Sequence, residues 1–203
     1  MTLSTLLHAR RGRILTAVLM IGVLLSGCAA RDYAWHGSAY TAPRPAPDFT
    51  SPAVDGTTFR MGAAHPGPVL LYFGYTHCPD ECPATMGNLK WAFEQLGQTS
   101  SRVTVVFISV DPQRDTPQVL ADWLDNFGPQ FLGIRAEGTD LKSVEQAYGV
   151  FAEVAAPNVA GETLIVHNSR LFFVDAKGVM RTSYDLSIPR NDILADLRHA
   201  LSN

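Results

Sequence analysis

Two unbroken apolar runs constrain this chain more than any other feature. Val69–Tyr75 reads VLLYFGY and Val103–Val110 reads VTVVFISV. Neither alternates apolar with polar residues, so neither suits a strand with one wet face. Both read as strands buried on two sides, the condition met inside a parallel sheet covered by helices. Helical patterns follow each run. Met86, Leu89, Phe93 and Leu96 recur at three- and four-residue steps over 83–96, with Pro83 in the first turn. Residues 116–127 place Val119, Leu120, Trp123, Leu124 and Phe127 on one face.

The remaining signals complete an α/β order. Asp55-Gly56 punctuates 48–60 as a hairpin. A short strand is expected at Phe131–Ile134 and a helix over 141–148, and Ala160-Gly161 breaks a connection. Lys177-Gly178 joins two strands, 170–175 and 179–184, and 193–201 closes as a helix. The sum is a mixed sheet flanked by helices, the order of a thioredoxin-like fold with an N-terminal β-hairpin extension. The 203 residues leave room for one such domain.

The chain begins differently. Arg10, Arg11 and Arg13 precede the apolar run Ile14–Leu25, and Leu25-Ser26-Gly27-Cys28 follows. A basic segment, an apolar segment of secretory length and small residues before a cysteine resemble a bacterial lipobox. That resemblance implies a lipoprotein signal peptide over 1–27, cleavage before Cys28 and lipid attachment to its sulfur. The alternative is an uncleaved anchor, since the uncharged run 14–30 lies at the short limit for spanning a bilayer. Either way the domain is expected in the bacterial cell envelope, membrane-anchored and facing the periplasm. Residues 28–47, with Pro43, Pro45 and Pro47, read as a tether, and the folded unit is expected from 48 to 203. Packing of Tyr33, Trp35 and Tyr40 on the domain is the other reading of that stretch. Cleavage removes three arginines and no acid, taking the net charge from −3 to −6. No basic surplus remains to neutralise phosphates, which argues against a nucleic-acid partner.

The chemistry sits in the turn after the first apolar strand: Gly74-Tyr75-Thr76-His77-Cys78-Pro79-Asp80-Glu81-Cys82-Pro83. Open α/β sheets bind ligands at this edge. Two sulfurs beside a helix N-terminus favour thiolate. Three readings stand. A disulfide across so short a loop would add little stability. A redox dithiol would resemble the thioredoxin CxxC, but the spacing is CxxxC. Leu164–Ser169, where thioredoxins present a facing proline, instead carries His167. A metal site of Cys78, Cys82 and His167 offers soft thiolates plus imidazole, which favour copper, then zinc. His77 is the rival nitrogen, aimed away from the sulfurs if the turn continues the strand.

The cysteine turn, Ser109-Val110-Asp111-Pro112-Gln113-Arg114-Asp115-Thr116-Pro117, and Val166-His167 before Leu171–Asp175 together resemble the Sco (SenC) family of copper-binding assembly proteins. The likeness covers about residues 45–200 in order. It implies a thioredoxin-like fold, membrane tethering, binding of Cu(I) and Cu(II), and delivery of copper to the dinuclear centre of cytochrome c oxidase subunit II. A periplasmic copper donor is implied as well. By motif match, Cys78, Cys82 and His167 are the implied ligands. Asp111, at the same sheet edge, would orient His167, ligate Cu(II) weakly, offset positive charge or cap the turn before the next helix. Arg114 and Asp115 are expected to brace that turn as a local ion pair. Two features depart from the family: Val166 and Asn168 flank the histidine where many members carry an acid and a hydroxyl, and a lipobox replaces the common transmembrane helix. A thiol-disulfide reductase is the alternative function. A peroxidase or a copper or redox sensor would be a third class.

Overall fold

In chain order the strands and helices are β1 (Ser38–Pro45), β2 (Thr50–Pro52), β3 (Thr58–Arg60), β4 (Val69–Gly74) and α1 (Glu81–Leu96). After a 3-10 turn come β5 (Thr104–Ser109), α2 (Pro117–Leu124), β6 (Phe131–Ile134), α3 (Gly138–Tyr148) and β7 (Ala152–Val154). The chain ends with β8 (Ile165–His167), β9 (Leu171–Val174), β10 (Val179–Tyr184) and α4 (Arg190–Ser202). The structure is a computed structural model that describes residues 33–62, 65–156 and 163–202. The signal segment 1–27, Cys28 and the Ala160-Gly161 break lie outside the described residues. No helix among the described residues is long and apolar enough to cross a membrane.

The main sheet runs β1-β10-β9-β4-β5-β6. β4, β5 and β6 are parallel, and β9, β10 and β1 add antiparallel pairs. Every residue of β4 is buried, as a run without polar alternation requires. Tyr72, Phe107 and Phe173 look to one face, where Trp123 of α2 and Trp35 meet them at 5.1 and 5.0 Å. Phe73 looks to the other, where Tyr148 of α3 lies 5.9 Å away. The β2–β3 hairpin packs on that second face through Phe49, 6.3 Å from Tyr148. Its turn carries Gly56 at φ 85°, as Asp55-Gly56 predicts.

The caps follow from the sequence. Thr116 accepts from the Val119 amide at 3.3 Å, and Pro117 opens α2. Leu120 and Leu124 settle over Gly133, where a Cβ would come within 2.8–2.9 Å of them. Val119 lies off that stripe and is exposed, contrary to the expected helix face.

The tether expected over 28–47 needs correction. Ser38–Pro45 forms the edge strand β1, paired with β10, and the folded unit begins at Trp35. Trp35 lies against Phe173, and Tyr40 also packs on the core. The prolines are tolerated because an edge strand leaves half its amides unpaired, and the register shifts between Ala39 and Arg44.

Candidate functional site

β4 ends at Gly74, and that glycine lets the site form. A Cβ there would fall 2.9 Å from the Cys82 sulfur and equally close to the Tyr72 and Phe107 rings. The chain then turns, with the Cys78 amide donating to the Tyr75 carbonyl at 3.2 Å. Cys82 is buried in the first turn of α1, whereas Cys78 is partly exposed. Both are free thiols. The Cys82 amide points at the Cys78 sulfur, 3.5 Å away, and the Tyr72 hydroxyl reaches the Cys82 sulfur at 3.8 Å.

This arrangement splits the two thiols. A hydrogen bond from the Cys82 thiol, helped by the Cys82, Asp80 and Glu81 amides at the helix start, pulls Cys78 down to about 5 against the opposing effect of burial. The same bond and burial push Cys82 up. Near neutral pH the pair is one thiolate and one thiol. Alkylation of Cys78 is therefore expected to be pH-independent above about pH 6 and to fall as pH drops through about 5. Cys82→Ala, which removes the largest cause, moves that midpoint upward. A rate profile with iodoacetamide checks both statements.

His167 arrives on β8, whose start is held by Tyr75: the Ile165 amide donates to the Tyr75 hydroxyl at 3.3 Å. The imidazole stands edge-on to Tyr72 and Tyr75, with ring centroids at 6.5 and 6.1 Å. Burial lowers its pKa, and the Glu81 charge opposes this only in part, so the ring is neutral at pH 7. Ser169 bridges the two halves. Its hydroxyl donates to Glu81 at 2.8 Å and lies 3.5 Å from His167 Nδ1. The hydroxyl absent beside the histidine in sequence is thus supplied from two residues on. Asn168 folds back instead, accepting from the Phe151 amide and donating to the Gly149 carbonyl, both at 2.9 Å.

Tyr72 and Tyr75 join these parts, one touching Cys82 and both flanking His167. Inside an apolar strand they read as core, and no sequence signal separated them from it. Among the described residues, no three His, Cys, Asp or Glu side chains are gathered closely enough to hold a metal ion. The cysteine pair and the histidine instead share one aromatic wall. Their donor chemistry, a thiolate, a thiol and a neutral imidazole, suits a soft ion such as Cu(I).

The other candidates are accounted for. His77 Nδ1 lies 3.0 Å from the Thr76 hydroxyl and 3.7 Å from Asp115, on an exposed ring. Asp111 is buried and bonded by Arg114 Nε. The expected Arg114–Asp115 pair is corrected accordingly: Arg114 closes on Asp111, three residues back, while Asp115 points inward. The Asp115 carboxylate is fully buried and accepts from the Thr76 hydroxyl and the Ser109 hydroxyl, both at 2.6 Å, and from the Thr76 amide at 3.2 Å. Adjacent residues on a tight turn face opposite ways, so neighbours in sequence did not become partners. Asp111 closes the turn before α2, its carbonyl accepting from the Arg114 and Asp115 amides, and Thr116 caps the helix itself.

Sheet, turn and thiol pair together define a thioredoxin-like protein with a polarised dithiol and a neutral histidine on the adjoining ribbon. The chain belongs to the SCO1/SenC family, whose model matches residues 38–202. An SCO2-like protein of Rickettsia prowazekii is 35% identical over 126 residues, which span 62% of each chain. The chain thus matches less than two thirds of that relative's length. Apo Sco1 of Thermus thermophilus superposes with a TM-score of 0.72 at 32% identity, covering 84% of this chain and 99% of that one. Copper-bound ScoI of Bradyrhizobium japonicum gives 0.69 at 27%, covering 77% and 99%.

Proposed function

We propose that this protein is a copper metallochaperone, anchored through Cys28, that delivers copper to the dinuclear centre of cytochrome c oxidase subunit II or a similar acceptor. The observation that carries the reading is two free cysteines in one turn and a histidine that share the wall made by Tyr72 and Tyr75. Two sulfurs and one nitrogen bind Cu(I) or Cu(II) without enclosing it, and an open donor set releases its cargo. The copper bound to the Sco homologue supports the same cargo, as does that family's role in cytochrome c oxidase assembly. Cys78, Cys82 and His167 are the proposed ligands. Both cysteines must be reduced to bind, so loading depends on redox state. Transfer then proceeds by thiolate exchange: acceptor cysteines replace Cys78 and Cys82, and His167 lets go as they arrive. Residues 1–27 are the proposed lipoprotein signal, which sets the domain at the periplasmic side of the envelope, within reach of a periplasmic copper donor.

A second reading has its own observation. A thiolate at Cys78 beside a buried thiol at Cys82 also suits a reductase, in which the pair becomes a disulfide as an acceptor disulfide takes up two electrons. Deletion separates the two. Loss of oxidase activity that added copper restores is the expected result. Complementation by His167→Ala at full wild-type level would instead favour the reductase.

A further inference from the structure

The ribbon that carries His167 is not part of the main sheet. Among the described residues, β7 and β8 pair only with each other, over three residues each. A two-stranded ribbon of that size is marginal in water by itself. Its position must therefore come in part from side chains that grip it, and one of these grips comes from the loop 111–115.

That loop touches both halves of the site. Asp115 binds the amide and hydroxyl of Thr76, two residues before Cys78, and so fixes the loop to the cysteine turn. Arg114 reaches the other way. Its Nε bonds Asp111, its Nη1 donates to the Thr163 carbonyl at 2.8 Å, and its guanidinium lies 5.7 Å from the centre of the Tyr75 ring. Tyr75 in turn accepts from the Ile165 amide. The entry to β8 is thus held at Thr163 and Ile165, just before His167. Arg135 anchors the loop from below: Nε donates to the Pro112 carbonyl at 2.9 Å and the Asp115 carbonyl at 3.0 Å, and Nη2 to the Pro112 carbonyl at 2.7 Å. The loop is a rigid span between the dithiol and the histidine ribbon.

We infer that Arg114 is a positioning residue for copper, setting the distance between His167 and the cysteine pair by holding the start of β8. The inference rests on the metallochaperone reading for its ligand. A forked guanidinium is needed because one side chain must satisfy Asp111 and the Thr163 carbonyl together, which a lysine cannot do in the same planar geometry. The loss expected is of the size seen for residues that orient a metal ligand, roughly 10–100-fold in affinity.

The test has a metal-free arm and a copper arm, both on the full domain. In Arg114→Gln, hydrogen exchange at the amides of 163–167 is expected to rise about tenfold, with β4 and β5 amides unchanged. Cu(I) affinity, measured against a chromophoric chelator, falls by roughly 10–100-fold, and Arg114→Lys recovers part of it. Tyr75→Phe, which removes the second grip and keeps the ring, shows the same pattern should Arg114→Gln fail to fold. Arg60→Gln, at an exposed pair with Asp48, stays at wild type in both arms. Wild-type exchange at 163–167, or raised exchange with unchanged copper affinity, overturns the inference. Absence of copper binding by the wild-type protein overturns the functional reading instead, while the exchange arm still decides whether Arg114 holds the ribbon.

Discussion

Replacing Cys78 by serine is expected to lower Cu(I) affinity by more than the roughly 10–100-fold that ligand-orienting residues contribute. The reason lies in the split of the pair. Cys78 is the sulfur that is already ionised near neutral pH, and the bond from Cys82 with three amides keeps it so. A serine hydroxyl stays protonated there and is a hard donor, poorly matched to Cu(I). Cys82 remains as a single buried sulfur, and one soft donor does not replace two. Competition with a chromophoric chelator measures the loss. An affinity within tenfold of wild type would remove Cys78 from the ligand set.

The second large effect concerns stability. Asp115→Ala is expected to destabilise the protein by about 3 kcal/mol, read as a lower urea midpoint at unchanged slope. The carboxylate is fully buried and serves the Thr76 amide, the Thr76 hydroxyl and the Ser109 hydroxyl. Its removal leaves buried donors without partners, each a penalty of about 1–3 kcal/mol, partly recovered where a hydroxyl can rotate. Asp115→Asn keeps one acceptor oxygen and loses less. Asp48→Ala, at an exposed pair with Arg60, changes stability by less than about 0.5 kcal/mol. Equal effects at 115 and 48 would contradict the buried role.

The frame was legible wherever burial on two faces wrote itself into composition. VLLYFG and TVVFIS became β4 and β5, and Phe131–Ile134 became β6. The helix expected over 116–127 formed as α2, although its apolar face did not show that Thr116 is the cap. β1 was not legible. Its pairing with β10 is made by backbone, and its two prolines, with Pro47 just beyond, imitate a linker. β7 and β8 were missed for another reason: three residues are too few to show a period. In the site, Cys78 and Cys82 stood out by residue type and spacing, and His167 entered through the family resemblance. The residues that organise them did not. Tyr72 and Tyr75 look like core until their hydroxyls are placed against Cys82 and Ile165. The roles of Asp111, Arg114 and Asp115 depend on which way each side chain leaves a tight turn, and spacing cannot say that.

The central claim is that copper is held by sulfur from Cys78 and Cys82 and nitrogen from His167. X-ray absorption on the Cu(I)-loaded protein tests it most directly. The account predicts two sulfur scatterers and one nitrogen, with the nitrogen lost in His167→Ala and the sulfurs retained. A copper environment without sulfur, or one that His167→Ala leaves unchanged, would contradict it.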